Sequence, residues 1–221
     1  MYDNIVSIIQ DRGNRMTKGY ENYTATIAGI VPTIMHNGRT SNPLDPMAKY
    51  LKSITGKRSK TDGDYALLAK MEWFSGLYLD ATVDTSLAGG VFTISGDAKP
   101  RYPAENIEAM ILAAAKKQRL GQLVQTGVLC DEVFPLQFKG DKLSVSELWE
   151  SGEFTDSRKV KIQKNSVIRC RPIFRDWSLK ISLNYLPDII NEAQVQDILV
   201  IAGRLIGLSD YRPKYGRFEV L

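Results

Sequence analysis

The sequence predicts an α+β fold, and three observations support this class. Residues 177–185 alternate strictly between apolar and polar side chains, which is the period-two pattern of a strand with one buried face. An apolar stripe with helical spacing follows over residues 195–206, and a short β-rich segment, residues 216–221, comes last. Of the 221 residues, 43% are hydrophobic and 24% are charged, which argues against a largely disordered chain.

We interpret residues 1–22 as an N-terminal arm. The polar run at 11–20 contains two glycines and shows neither helical nor strand periodicity. The arm also carries four apolar residues between positions 5 and 9. These can form a short helix that docks on a neighbouring subunit, or one that packs back on the same chain.

The first elements after the arm are a strand and two helices. The strand is predicted over residues 23–31, which are rich in β-branched side chains and stop before Pro32. The first helix covers residues 47–55, where an apolar face repeats at helical spacing. The second helix is predicted to begin after Thr61, because Asp64 completes a capping box, and to run to about residue 73.

The middle of the chain mixes weaker signals with one clear helix. Residues 76–99 predict a strand, a loop at the Gly-Gly pair and a second strand over 91–95. Residues 103–120 are a helix with apolar residues on one stripe. Residues 122–138 predict one or two strands, and residues 160–171 have β-like composition. Between them, the polar stretch 139–157 predicts a loop with a helical turn at 144–150.

The C-terminal fifty residues predict a strand, helix, strand unit. Its helix begins where Asn191 and Gln194 form an N-cap arrangement, and its buried stripe ends near Leu205. The same order is suggested more loosely over residues 77–138. Two such units form a ferredoxin-like or RNA-recognition-motif-like antiparallel sheet with helices on one face. Residues 23–221 are therefore expected to be a single α+β domain, with room for two ferredoxin-like units.

Several classes of protein are disfavoured by the sequence. No apolar stretch approaches the ~20 residues that cross a bilayer, so no membrane partner is expected. The first ten residues lack the features of a secretory signal, which predicts a cytoplasmic protein. Cys130 and Cys170 have neither CxxC spacing nor a histidine cluster, so we expect free thiols and no metal or other cofactor.

Catalytic signatures are also weak, which favours a non-enzymatic protein. The chain contains no GxSxG, GxxxxGK[ST] or HExxH motif. His36 is its only histidine, and it lies in a loop beside an Asn-Gly turn. It is the one weak candidate for general acid or base chemistry.

The segment 203–220 is the most distinctive part of the sequence. It places three glycines between a helix and a strand, in a loop rich in cations and tyrosines. Glycines let backbone amides approach a phosphate, cations supply countercharge, and a tyrosine ring can stack on a base. The same residues also fit an ordinary helix end followed by a tight turn. The candidate nucleic-acid-binding residues here are Tyr211, Arg212, Lys214, Tyr215 and Arg217.

The net charge of +4 is too small to identify a nucleic-acid partner, but the charge is unevenly distributed. One cluster comprises Lys49, Lys52, Lys57, Arg58 and Lys60, which can neutralise phosphates or can simply be a solvated helix end. Another runs from Arg158 to Arg175 on strand-like sequence, with alternation that predicts a basic strip. Its candidate binding residues are Lys159, Lys161, Arg169 and Arg171.

Two resemblances extend these predictions. The helix, glycine-rich loop and strand of residues 192–221 resemble the C-terminal signature of the RAMP superfamily, the RNA-binding subunits of CRISPR effector complexes. That resemblance implies two ferredoxin-like units and a loop near RNA. Separately, residues 35–39, 43–46, 52–61 and 207–218 resemble a tailed-phage and prophage protein family of unassigned function, from about residue 23 to the end. This resemblance implies a viral origin and a bacterial host cell.

Together these observations predict a phage-derived protein that binds single-stranded RNA or DNA through the backbone, either as a monomer or as a homo-oligomer. An alternative is a protein-interaction factor, such as a phage inhibitor of host defence with a host protein as its partner, or a structural component. A further alternative is a metal-independent ribonuclease that uses His36, since some RAMP-type nucleases place a histidine after the first strand.

Overall fold

The computed structural model describes residues 19–80, 98–162 and 165–221, and it confirms an α+β fold with antiparallel sheets. The main sheet contains five strands, which are β1 (Glu21–Gly29), β4 (Val128–Leu129), β6 (Gln137–Phe138), β9 (Trp177–Tyr185) and β10 (Phe218–Val220). β1 lies between β10 and β9, and both β4 and β6 pair with the other edge of β9.

The remaining strands form two smaller sheets. In the first, β8 (Asn165–Phe174) lies between β2 (Thr33–Ile34) and β7 (Thr155–Ile162). In the second, β3 (Arg101–Tyr102) pairs with β5 (Phe134–Pro135). β7 and β8 form a long hairpin, and only the last residues of β8 pair with β2.

The described part of the chain contains six α-helices. They are α1 (Pro46–Thr55), α2 (Asp62–Gly76), α3 (Ala104–Lys117), α4 (Gly121–Gly127), α5 (Val145–Ser151) and α6 (Glu192–Ile201). Capping boxes at Thr61, Ser144 and Asn191 start α2, α5 and α6, because each side chain accepts the N–H three residues on. None of the helices in the described ranges is long and apolar enough to cross a membrane.

The core lies between the main sheet and the helices α3 and α6. On β9, the residues from Trp177 to Tyr185 at odd positions are buried, whereas the even positions face outward. The buried side chains pack with Ile107 and Met110 of α3 and with Ile198 of α6. The predicted alternation and the predicted helical stripes are therefore confirmed, because each places its apolar side in this core.

The C-terminal unit has a defined topology. β9 and β10 are each antiparallel to β1, so they run parallel to each other with β1 between them. α6 connects them, and its π-helical extension, Ala202–Ile206, leads into the loop before β10. The predicted strand, helix, strand order is therefore present, with a third strand inserted between the two parallel ones.

Several predicted boundaries need correction. α2 continues to Gly76, and a strand does not start there. Residues 122–127, predicted as strand, belong to helix α4, because the buried residues Val124 and Gly127 are three apart, which is helical spacing. β1 begins at Glu21, two residues before the predicted strand, and residues 1–18 of the predicted arm lie outside the described residues. The predicted strand at 91–95 also lies outside them.

The stripe of α6 also departs from prediction at its end. Leu205, predicted to be buried, is 55% exposed. The reason is the π-helical turn, in which the N–H of Gly207 donates to Ala202, five residues earlier, and this longer turn rotates the later side chains away from the stripe. At Gly203, a Cβ would lie 2.2 Å from the carbonyl oxygen of Phe218, so the glycine allows this close approach of β10.

Candidate functional site

The loop between α6 and β10, residues 207–217, is held against the segment that contains β2. Gly207 and Gly216 adopt positive φ angles of 81° and 74°, which turn the chain at both ends of the loop. The N–H of Leu208 donates to the carbonyl of Gly216 at 2.8 Å and closes the loop. Ser209 Oγ and the N–H of Asp210 both donate to the carbonyl of Ile34. We call residues 207–217 the terminal loop.

The register of the β7–β8 hairpin brings its charged residues to one face. Arg158 lies opposite Arg169, and Asp156 lies opposite Arg171. Residues two apart on a strand share a face, so these four side chains project on the same side. This face of the hairpin meets the terminal loop, so Arg169 and Arg171 of the predicted basic strip lie beside it, whereas Lys159 projects from the opposite face.

Arginines of the hairpin hold both tyrosines of the terminal loop. The guanidinium of Arg158 lies 5.1 Å from the ring centroid of Tyr211 and 4.7 Å from that of Tyr215. It also donates to the Tyr215 hydroxyl at 2.8 Å. Arg171 lies 5.0 Å from the Tyr211 centroid. These cation–π contacts fix the orientation of Tyr211, which remains 36% exposed.

Each hairpin arginine on this face already has a carboxylate partner. Arg158 pairs with Asp156, and Arg169 pairs with Glu72 of α2. Arg171 Nη1 lies 3.1 Å from Asp210 Oδ2 in the terminal loop. The hydrogen bond to Asp156 is the main cause that raises the pKa of Arg158. The charge of each of these three arginines is therefore balanced within the protein. Binding of phosphate by Arg169 and Arg171 stays a prediction.

Two exposed cations belong to the terminal loop, and a third, Lys159, projects from the opposite face of the hairpin from Arg158. Lys159, Arg212 and Lys214 are exposed, and among the described residues no carboxylate lies within 4 Å of any of them. Arg217 differs, because its Nε donates to the carbonyl of Pro213 at 2.8 Å and braces the loop. The side chain of Lys161 lies outside the described residues.

Two polar clefts meet at His36. The first, which we call the His36 cleft, has a volume of about 170 Å³ and is lined by Tyr78, Asn106, Ala109, Ser209, Asp210 and Arg212. The second, of about 240 Å³, contains Thr40, Glu72, Arg169 and Arg171. Packing around the imidazole and the charge of Arg171 lower the pKa of His36, so that the ring is neutral at pH 7. Its role as a general acid or base stays a prediction.

The basic cluster around α1 does not join the terminal loop through any contact of the described residues. Lys49 and Lys52 are exposed on the face of α1 opposite the buried Met47 and Ile54. Lys57 pairs with Asp64 at 2.6 Å, and this hydrogen bond is the main cause that lowers the pKa of Asp64 to about 2. The Lys60 ammonium donates to the carbonyl of Lys57, and Arg58 is exposed. Binding by these five residues stays a prediction.

Both cysteines are free and buried. Burial raises the pKa of Cys170, and burial together with Glu108 raises the pKa of Cys130 to about 12. The two thiols therefore remain protonated at neutral pH, and a protonated thiol is a poor nucleophile. In the described ranges, no group of three or more potential metal ligands occurs.

Sequence reasoning missed the acidic partners and one central arginine. Arg158 belongs to the recognised basic run, yet only the hairpin register shows that it contacts both tyrosines. Glu72 and Asp210 are distant in sequence from the arginines that they neutralise. The spacing of Asp156 and Arg158, two residues apart on a strand, was a signal that could have indicated their pairing.

Comparisons with known proteins do not assign this chain to a family. No protein-family model matches this chain, and no curated protein matches it in sequence. The resemblances to RAMP proteins and to a phage family therefore stay predictions. The geometry of the terminal loop and its surroundings is the observation that bears on function.

Proposed function

We propose that this protein binds single-stranded RNA or DNA, and that the terminal loop with its hairpin support is the binding surface. The observation that carries the proposal is the partly exposed residue Tyr211, whose ring two arginines hold, beside two exposed cations, Arg212 and Lys214, that no described carboxylate neutralises. A stacking ring next to unpaired cations is the arrangement that binds single strands without reading their sequence.

The division of roles follows from the ion pairs. Arg158 and Arg171 hold the tyrosines, and their charge is balanced by Asp156 and Asp210. Arg212 and Lys214 would contact phosphates, because releasing counterions from the strand makes such contacts favourable. Tyr211 would stack on a base, a contact that every base can make.

We also propose that the main sheet belongs to the ferredoxin-like class. The support is the split arrangement in which β9 and β10 run parallel with β1 between them and α6 connects them. The sheet is covered by helices on its buried face. The terminal loop begins directly after the π-helical extension at the C-terminal end of α6. This class is shared by proteins of many functions, so it supports the binding proposal without carrying it.

Removal of the exposed cations should weaken binding strongly. With about two phosphate contacts, affinity for a single strand should fall about sevenfold between about 50 and 200 mM salt. Replacing both Arg212 and Lys214 by Ala should lower the affinity at low salt by about tenfold and flatten this salt dependence. The measurement is fluorescence anisotropy with single-stranded RNA, single-stranded DNA and duplex DNA. Arg217 is left in place because it braces the loop.

The control for charge is a variant with Lys116 and Lys117 replaced by Ala. These two lysines are exposed in the last turn of α3, about 15 Å along the helix from Asn106 in the His36 cleft. The control removes the same net charge at a different place. Binding that does not change with salt, or an equal loss in both variants, would contradict the proposed surface.

Loss of the stacking ring should have a separate signature. Tyr211→Ala should weaken single-strand binding by about tenfold, because one base–aromatic stack contributes about 1–3 kcal/mol. The salt dependence should keep its slope, since no phosphate contact is removed. Tyr65→Ala is the matched control, because Tyr65 is 58% exposed on α2 and makes no contact with the terminal loop in the described structure. Equal effects of the two variants would argue against stacking on Tyr211.

A further inference from the structure

The His36 cleft contains hydrogen-bonding groups that the folded loop does not use. Asp210 Oδ2 is buried against Arg171, whereas the Asp210 side chain as a whole is 34% exposed. The oxygen that remains available in the cleft is therefore Oδ1. Asn106, from the first turn of α3, is hydrogen-bonded through its side chain to Tyr78, and it lines the same space together with Arg212. The cleft thus presents a charged acceptor together with donors.

The size and walls of the cleft suit one flat heterocycle. Its volume of about 170 Å³ is small compared with sites for drug-sized ligands, which occupy about 300–1,000 Å³. The ring of Tyr78 and the methyl group of Ala109 supply apolar surface beside the polar groups. One unstacked base fits this description, whereas a base pair does not.

The cleft also lies next to the stacking ring. Asp210 and Arg212 line the cleft, and Tyr211 between them makes its ring contacts with the hairpin. A strand that stacks one base on Tyr211 would pass close to the cleft, because Arg171 contacts both the Tyr211 ring and Asp210. Bases of single strands that turn out of the stack are commonly read through hydrogen bonds to their edges.

We propose that the His36 cleft receives one base of the bound strand and prefers bases with an exocyclic amine over uracil. The proposal rests on the proposed function and adds a base preference to it. A carboxylate oxygen can only accept hydrogen bonds, so Asp210 Oδ1 favours the amino groups of adenine, cytosine and guanine. Uracil offers a carboxylate only its ring N3–H, which lies between two carbonyl oxygens that the carboxylate repels. Arg212 or Asn106 can donate to the ring acceptor beside the amine.

The test measures anisotropy with oligonucleotides of about 12 nucleotides, a length within the site size of single-strand-binding domains. The reference strand contains uracil alone, as RNA or as deoxyuridine DNA, whichever the protein binds more tightly. In three further strands, one central uracil is replaced by adenine, cytosine or guanine. Each replacement should strengthen binding about tenfold, the fold-change that corresponds to about 1.4 kcal/mol.

Two variants localise the preference to the cleft. Asp210→Asn replaces a pure acceptor by a group that also donates, so the tenfold preference should disappear. Affinity for the uracil strand should rise, because Arg171 loses its negative partner. Ala109→Leu fills the cleft from an exposed position of α3 without changing charge, and Leu is compatible with a helix. It should abolish the preference and leave uracil binding unchanged.

The outcomes separate this inference from the proposed function. Equal binding of all four strands would overturn the base site and leave single-strand binding intact. A preference that persists in both variants would also overturn it, because the selection would then occur elsewhere. Absence of binding to any strand would overturn the proposed function and the base site together.

Discussion

Gly216→Ala is expected to destabilise the protein by about 3–5 kcal/mol, through a backbone clash together with an unfavourable φ. A Cβ at this position would lie 1.9 Å from the carbonyl oxygen of Leu208, and the φ of Gly216 is 74°. Neither side can move easily, because Leu208 and Gly216 are joined by a hydrogen bond and Gly216 also donates to Pro32. Urea unfolding followed by tryptophan fluorescence measures the loss of stability.

Gly152→Ala separates the two causes of this effect. Gly152 has a similar φ of 70°, but no atom lies within 4 Å of the position that its Cβ would occupy. Its replacement should cost only about 1–2 kcal/mol, the cost of the left-handed conformation. If both variants lose the same stability, the terminal loop is not packed as described. Under the proposed function, only Gly216→Ala should also lose single-strand binding.

Glu72→Ala is expected to cost about 3 kcal/mol, since it removes a buried carboxylate that serves two partners. The Glu72 side chain is 9% exposed and pairs with Arg169 of β8. Its Oε2 also accepts the backbone N–H of Cys170 at 3.0 Å. Without Glu72, the N–H of Cys170 has no acceptor and the guanidinium of Arg169 has no counterion. Both losses lower the free energy of unfolding, which the same urea experiment measures.

Glu72→Gln provides the matched comparison. Gln keeps an oxygen for the N–H of Cys170 and loses only the charge, so its loss of stability should be less than half that of Glu72→Ala. Removal of this negative charge should at the same time strengthen binding of single strands at low salt. The exposed Glu150 of α5, replaced by Ala, is the control for charge alone. Equal costs for Ala and Gln at position 72 would contradict the role of the Cys170 hydrogen bond.

The elements that were predicted well are those whose signal is local. Capping boxes at Thr61 and Asn191 place the starts of α2 and α6, because cap and partner are three residues apart. The alternation of β9 and the stripe of α3 were confirmed for the same reason, since period and burial are encoded within one element. The strand predicted over residues 122–127 was wrong, because a short apolar run is compatible with a helix or a strand until its packing partner is known.

The candidate site was predicted in part. The tyrosines and cations of the terminal loop were recognised from their composition, and the hairpin arginines from their charge. Their convergence was not predicted, because it depends on the register that sets Arg158 opposite Arg169 and on the return of the terminal loop to the same face. The neutralisation of Arg169 and Arg171 by Glu72 and Asp210 was not predicted either, because it requires contacts between distant segments.

The sequence by itself determined the α+β class, the positions of its well-patterned helices and strands, and the residue types available for binding. These properties depend on the chain's local periodicity and on caps within a few residues. Only the tertiary structure decided which cations stay unpaired, which ring is fixed and partly exposed, and that a polar cleft opens beside it. The physical reason is that charge pairing and cleft formation depend on distances between elements, and packing sets those distances.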